Sequence, residues 1–373
     1  MLKKTTIRKR VRFNSSPKQD EFLRELKKRV DHYFHENKIS KHANPQMVWK
    51  SIIGFGSWLL VYALIMSNLL SQFPLLLILA FTLLGFVNIF LAFNVMHDGT
   101  HEAYTDKRKL NKLLGYTFNF IGGNQYLFRL MHGAHHGFVN IQGIDVTLET
   151  HGLFRFTPHE PYKWYHRYQH FYTPVLYMFA HIHWVFIKDF KWFFVERSIG
   201  NVKNIKTPFK EYVILIGTKV IYLTLTLALP IIFLSAPVWL ILLGFVSIHI
   251  LPSLTFALIF QVTHVFEGTS YPEPDNNGII DNSYAIHVLE TTADFSRNNK
   301  TGRWLMGCIN IHVIHHIFPE ICHIHYPALT EILIDVANDF GLEYKENKTF
   351  WIALKKHIWM LKELSNPPAP ELY

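Results

Sequence analysis

The sequence predicts an all-α integral membrane protein with four transmembrane helices in two hairpins and a cytosolic helical cap rich in histidine. Three observations carry that prediction. Two long blocks are almost free of charge, Lys and Arg are confined to the segments outside them, and the histidine clusters all fall at one end of the implied bundle. The chain of 373 residues is 49% hydrophobic yet carries a net charge of +9, and only this segregation reconciles the two figures.

The first block runs from Ser51 to Met96 without a charged residue and breaks at "SQFP" (71–74). The second, from Tyr212 to Thr263, contains only Lys219 and His249 among ionisable side chains other than tyrosine, and breaks at "SAP" (235–237). Each half is long enough to cross a hydrocarbon core, which takes about 20 apolar residues. Five segments follow: a basic N-terminal segment (1–48), a first hairpin (49–97), a polar segment (98–211), a second hairpin (212–263) and a C-terminal segment (264–373). Within the first, residues 21–35 read as an amphipathic helix with Phe22, Leu26, Val30 and Tyr33 or Phe34 on one side. The stretch 171–195 is apolar but interrupted by His181, His183, Lys188, Asp189 and Lys191, so it is expected to lie in or under the membrane interface rather than cross.

Fourteen Lys and Arg lie in residues 1–50, fourteen in 98–211 and eight in 263–373, and the hairpin turns carry none. The positive-inside rule therefore places both termini and both polar segments in the cytoplasm. Lys219 is expected to snorkel to the interface. A basic surface facing anionic lipid heads accounts for the charge, and no basic–aromatic module for nucleic acid is present. The basic start is not followed by an apolar run with a cleavage site, so no signal peptide is read. Cys308 and Cys322 form no CxxC or disulfide framework and are expected to be buried and inert.

Twenty-three histidines remain to be explained, and eight of them fall in three clusters. "HDGTH" gives His97 and His101, "HGAHH" gives His132, His135 and His136, and "HVIHH" gives His312, His315 and His316. On a helix, residues three and four apart share a face about 5–6 Å apart at Cβ, so an HxxxH pair can hold one metal ion. In HxxHH the last two imidazoles point about 100° apart and can address two ions. Eight imidazoles are too many for one tetrahedral zinc. They suit two ions of a metal that accepts five or six ligands, with iron leading and manganese or cobalt not excluded by spacing. His264, where the fourth crossing surfaces at the same depth, is a ninth candidate ligand. Asp98 and Asp294 are the carboxylates placed to accept an imidazole N–H from a ligating histidine, weighed against ordinary helix caps.

The other histidines carry less. His32, His35, His42 and His357 read as solvated helix-surface residues, and His151, His159, His166 and His170 as surface or packing residues. His249 reads as a neutral imidazole bonded to a neighbouring helix. His287, His323 and His325 flank the third cluster as candidate outer partners.

The three clusters, in this order and spacing, resemble the histidine boxes of the membrane fatty-acid desaturases. The stretch "TTADFSRNNKTGRWLMGCINIHVIHHIFPEICHIHYPAL" (291–329) is similar to that of front-end acyl desaturases, and "FQVTHVFE" resembles their bacterial members. In many eukaryotic front-end members, Gln stands where this chain has His312. The resemblance covers about Trp49 to Pro327. It implies two ferrous ions, O2 as co-substrate, and an acyl-CoA or acyl-lipid substrate that gains a cis double bond. It also adds support for His264 as a ligand. No HPGG motif of a fused cytochrome b5 is present, so a separate donor, ferredoxin or cytochrome b5-type with its reductase, is expected to supply electrons. Competing readings are a related acyl hydroxylase or alkane monooxygenase, a metal transporter, and a zinc hydrolase. A transporter is disfavoured because the histidines gather at one face, and a hydrolase because there is no HExxH motif.

Overall fold

The computed structural model describes residues 11–200 and 202–367. Among these, four helices are long and apolar enough to cross a membrane: Pro45–Met66, Pro74–Thr100, Phe209–Phe233 and Val238–His264. Proline opens the first two, where its missing N–H costs nothing, and Pro237 immediately precedes the fourth. Their outward faces are largely apolar, with Leu60, Leu75, Val220 and Ile232 exposed. On helices of this length and apolarity, such faces fit a lipid surrounding. The chain is therefore a membrane protein built on two helical hairpins.

The second and fourth spans form the central pair. A Cβ on Gly85 would run into the Ile248 carbonyl oxygen, and one on Gly244 into the Phe81 ring. Small residues let the two backbones approach closely, as packing between membrane helices requires. This contact sets the relative height of the two spans, whose ends carry His97 and His264.

The amphipathic N-terminal helix forms over Pro17–Asn37, with Ser16 and Gln19 making a reciprocal capping box. Phe22, Leu26 and Val30 are fully buried against Leu333, Val336 and Phe340 of the C-terminal region. Among the described residues, strand pairing is limited to two short parallel pairs, Arg12–Phe13 with Ile279–Ile280 and Asp294–Phe295 with Glu346–Asn347, and an isolated bridge between Ile199 and Val202. The second pair brings Asp294 to the box-three helix.

Two expectations, for Lys219 and for His357, need correction. Lys219 does not snorkel: it is buried, and its ammonium donates to Asp189 Oδ2 at 2.6 Å and to the Gly122 carbonyl at 2.5 Å. The segment 171–195 is helical with a break near Met178 and two π turns, Trp184–Lys188 and Trp192–Glu196. It packs against the last two spans. The Asp189–Lys219 pair, a His181–His249 contact at 2.9 Å and Ser253 bonded to the Tyr177 carbonyl and the His181 N–H fix it there. His249 also meets the Tyr222 hydroxyl at 3.1 Å. His357 is not on a solvated surface; it is fully buried between the Val265 carbonyl, 2.6 Å away, and the Tyr177 hydroxyl.

Burial holds His357 and His287 neutral, each with its pKa pushed down to about 4 from the ordinary 6.5. Between those values the unfolded chain takes up protons that the fold refuses. Stability is therefore full above pH 6.5 and falls by about 1.4 kcal/mol per pH unit for each group down to about pH 4. Thermal melts in detergent should show a lower midpoint at about pH 5 than at about pH 7.5, and a flat profile contradicts this account.

Candidate metal centre

Each histidine cluster is delivered by a distinct local device. The second span is α-helical to Leu91, widens through a π turn at Ala92–Met96 and closes on the turn His97–Thr100. One extra residue in that turn rotates the face carrying His97. Asn94 Nδ2 pins the π turn to the Leu305 carbonyl at 3.0 Å. Asn124 caps the helix Gln125–Gly137, which carries His132, His135 and His136. The helix His312–Ile317 starts on Asp294, whose Oδ1 accepts the N–H of His312 at 2.6 Å and of Val313 at 2.8 Å. His264 is the last residue of the fourth span.

The fold brings all nine candidate histidines together. The potential ligand nitrogens of His97, His101, His132 and His315 lie within 4.8 Å of one another, and so do those of His135, His264, His312 and His316. His136 sits between the quartets, its ring 4.6 Å from His101, 4.5 Å from His132, 4.6 Å from His315 and 4.3 Å from His316. His315 and His316, adjacent in sequence, belong to different quartets, and so do His132 and His135.

The donor chemistry fits metal binding. His132 Nε2 lies 3.1 Å from Nε2 of His97, 2.9 Å from that of His101 and 3.2 Å from that of His136. His264 Nε2 is 3.2 Å from that of His135 and 3.3 Å from that of His316. The buried Nε2 atoms of His312 and His315 have no hydrogen-bond partner. A neutral imidazole carries one proton, so no distribution of protons satisfies such convergence, whereas a shared cation does.

The outward nitrogens point the same way. His135 Nδ1 faces the Asp145 carboxylate at 3.0 and 3.1 Å, His312 Nδ1 the Ile309 carbonyl at 3.0 Å, and His315 Nδ1 the Tyr326 hydroxyl at 3.1 Å. A proton on Nδ1 of His135 and His312 donates to these acceptors and leaves the Nε2 lone pair facing inward. Burial first, then the neighbouring imidazoles, hold His101, His132, His136, His312, His315 and His316 well below the ordinary imidazole pKa. They rest neutral, the form that ligates metal.

The carboxylates differ from expectation. Asp294 accepts no imidazole N–H; it caps the box-three helix and takes the Tyr344 hydroxyl. Burial pushes its pKa up to about 7 against those hydrogen bonds. Asp98 does meet an imidazole, but that of His323, at 2.9 Å. The carboxylate on a candidate ligand is Asp145, which also accepts from the Asn140 N–H and the Thr147 N–H and hydroxyl. Burial raises its pKa, but His135 and the Thr147 hydrogen bonds outweigh burial and leave it below the usual carboxylate value. The one legible signal was that Asp145 is the sole acid between residues 130 and 148. Tyr284 was also missed: its hydroxyl lies 2.8 Å from the carbonyls of both His136 and His316, joining the second and third boxes. His287 holds the Val139 carbonyl at 2.7 Å, one step outside the centre.

Asp145→Asn keeps the shape but can present an amide N–H to His135 in place of an acceptor. Metal affinity should fall by about 10–100-fold, read by competition with a chelator; unchanged affinity would remove Asp145 from the site.

A four-span helical protein with a buried polyimidazole cluster at one end of its central spans defines a class: the membrane proteins equipped for metal chemistry beside the lipid. The chain belongs to the fatty acid desaturase family, whose pattern it matches over residues 72–348. It is 34% identical over 354 residues to an sn-1 linoleoyl-lipid 6-desaturase of Synechocystis sp., covering 92% of this chain and 95% of that one. A protein of the same description from Arthrospira platensis is 32% identical over 93% of each chain. An acyl-lipid (8-3)-desaturase of Physcomitrium patens is 31% identical over 92% of this chain and 72% of its own length. This protein is accordingly a fatty acid desaturase, an oxidoreductase of lipid metabolism.

Proposed function

We propose that this chain inserts a cis double bond into a lipid-linked fatty acyl chain, using O2 at a centre of two iron ions held by the nine histidines. The observation that carries this reading is the pairing of two imidazole quartets around a shared His136. Two quartets and a ninth imidazole match the appetite of two ions with more than four ligands each, and imidazole suits iron. The names of the cyanobacterial and moss relatives favour a lipid-linked substrate over acyl-CoA, and a new bond on the carboxyl side of an existing one.

When bound, the two irons with O2, two electrons and two protons supply the oxidant that removes two hydrogens from neighbouring methylenes, both oxygen atoms leaving as water. The chain does the rest. His135 and His312 donate through Nδ1 to Asp145 and the Ile309 carbonyl, which keeps their Nε2 lone pairs aimed at the centre, and Tyr326 fixes the ring of His315. Near-complete burial of the centre keeps bulk water from the oxidant. Methylenes offer no hydrogen-bond handle, so the substrate is selected by shape. The excess of Lys and Arg on the histidine-bearing side favours a cytoplasmic orientation of that side and of both termini, within reach of a separate electron carrier.

Expression in a host fed defined fatty acids, with gas chromatography and double-bond location, tests this reading. A new cis-unsaturated lipid acyl chain is expected, and a hydroxylated product overturns desaturation in favour of oxygenation.

A further inference from the structure

A second buried cluster lies beside the centre and joins three distant parts of the chain. Lys50 of the first span, Asp98 beside His97, and Cys322 and His323 of the loop after box three are each at most 3% exposed. Lys50 Nζ is 3.0 Å from His323 Nε2, and His323 Nδ1 is 2.9 Å from Asp98 Oδ2. The same oxygen accepts the Cys322 thiol at 3.0 Å and the His323 N–H at 3.3 Å.

An ammonium can only donate, so His323 Nε2 accepts from Lys50 and Nδ1 carries the proton to Asp98. The tautomer is fixed from both sides, and the imidazole separates a buried cation from a buried carboxylate. Asp98, Cys322 and His323 are near enough to hold an ion themselves. The Lys50 ammonium against the same imidazole argues against a cation there, and three donors already occupy Asp98 Oδ2.

The two quartets are steadied differently. In the second, His135 and His312 are tied through Nδ1 to Asp145 and to the Ile309 carbonyl. In the first, among the described residues, only His315 has an Nδ1 contact of this kind, to Tyr326. His97 is steadied through its neighbour: three hydrogen bonds clamp the Asp98 side chain to Cys322 and His323, six and seven residues beyond His316. That clamp sets the turn His97–Thr100 against the box-three helix, and hence His97 against His315, whose rings are 4.5 Å apart.

We propose that His323, oriented by Lys50, is a positioning residue for the metal ion of the first quartet, holding His97 in place through Asp98. The inference rests on the two-ion reading above. It assigns His323 and Lys50 to one ion and leaves the other to Asp145.

Cobalt(II) titration of metal-free protein in detergent, followed by ligand-field absorbance, tests it. Wild type should bind two equivalents. His323→Ala should bind one equivalent as wild type does and the other about 10–100-fold more weakly, the usual cost of losing an outer partner. His323→Gln, whose amide can donate to Asp98 and accept from Lys50, should restore the second equivalent. Lys50→Met should weaken the same equivalent by a smaller factor. If His323→Ala does not fold, Lys50→Met carries the test. Two equivalents of wild-type affinity in a folded His323→Ala or in Lys50→Met overturn the proposal, as does equal weakening of both equivalents. A wild type that binds one equivalent overturns the two-ion reading instead, and His323→Ala still tests the clamp by whether that single affinity falls.

Discussion

His316→Ala should abolish desaturation while the chain still inserts and folds. His316 contributes to the second quartet, stacks on His136 at 4.3 Å and sits 3.3 Å from His264 Nε2, so its loss opens the join between the two quartets. Nothing outside the centre depends on its imidazole; only its backbone carbonyl meets Tyr284, and alanine keeps that. The loss of turnover should exceed about 100-fold, the upper range for removing even an outer partner. Product analysis beside a size-exclusion profile in detergent checks both halves. Retained turnover in a folded variant would remove His316 from the essential set.

Lys219→Met should be the most destabilising single change in the membrane region. The Lys219 ammonium offsets the buried Asp189 carboxylate, and methionine leaves that charge unpaired among apolar spans. Breaking one side of a buried pair costs about 3–5 kcal/mol, whereas replacing both sides with apolar residues is often near neutral. The double variant Lys219→Met with Asp189→Leu should therefore recover most of the loss. Denaturant titration in detergent measures all three proteins, and additive losses in the double variant would contradict a coupled pair.

The spans and the three boxes were legible because their signals are local. An uncharged run and an HxxHH spacing need no knowledge of what lies opposite. Lys219 was misread because its partner, Asp189, lies 30 residues earlier in a segment whose mixed composition suggested an interface. His357 looked solvated beside Lys355 and Lys356, and only the packing of Phe350–Glu363 against the fourth span puts it inside. The carboxylates show the same limit. Asp98 and Asp294 are close to the boxes in sequence, but side-chain direction sends one to His323 and the other to backbone N–H groups. Asp145, nine residues past box two, turns back because Asn140 adopts a left-handed backbone at φ 57 and its N–H meets that carboxylate.

The central claim is that nine imidazoles hold two iron ions. Elemental analysis of the purified protein tests it most directly. The account predicts about two irons per chain, lost together with activity on chelation and restored together with ferrous iron. One zinc per chain, with no iron and with activity intact, would contradict it.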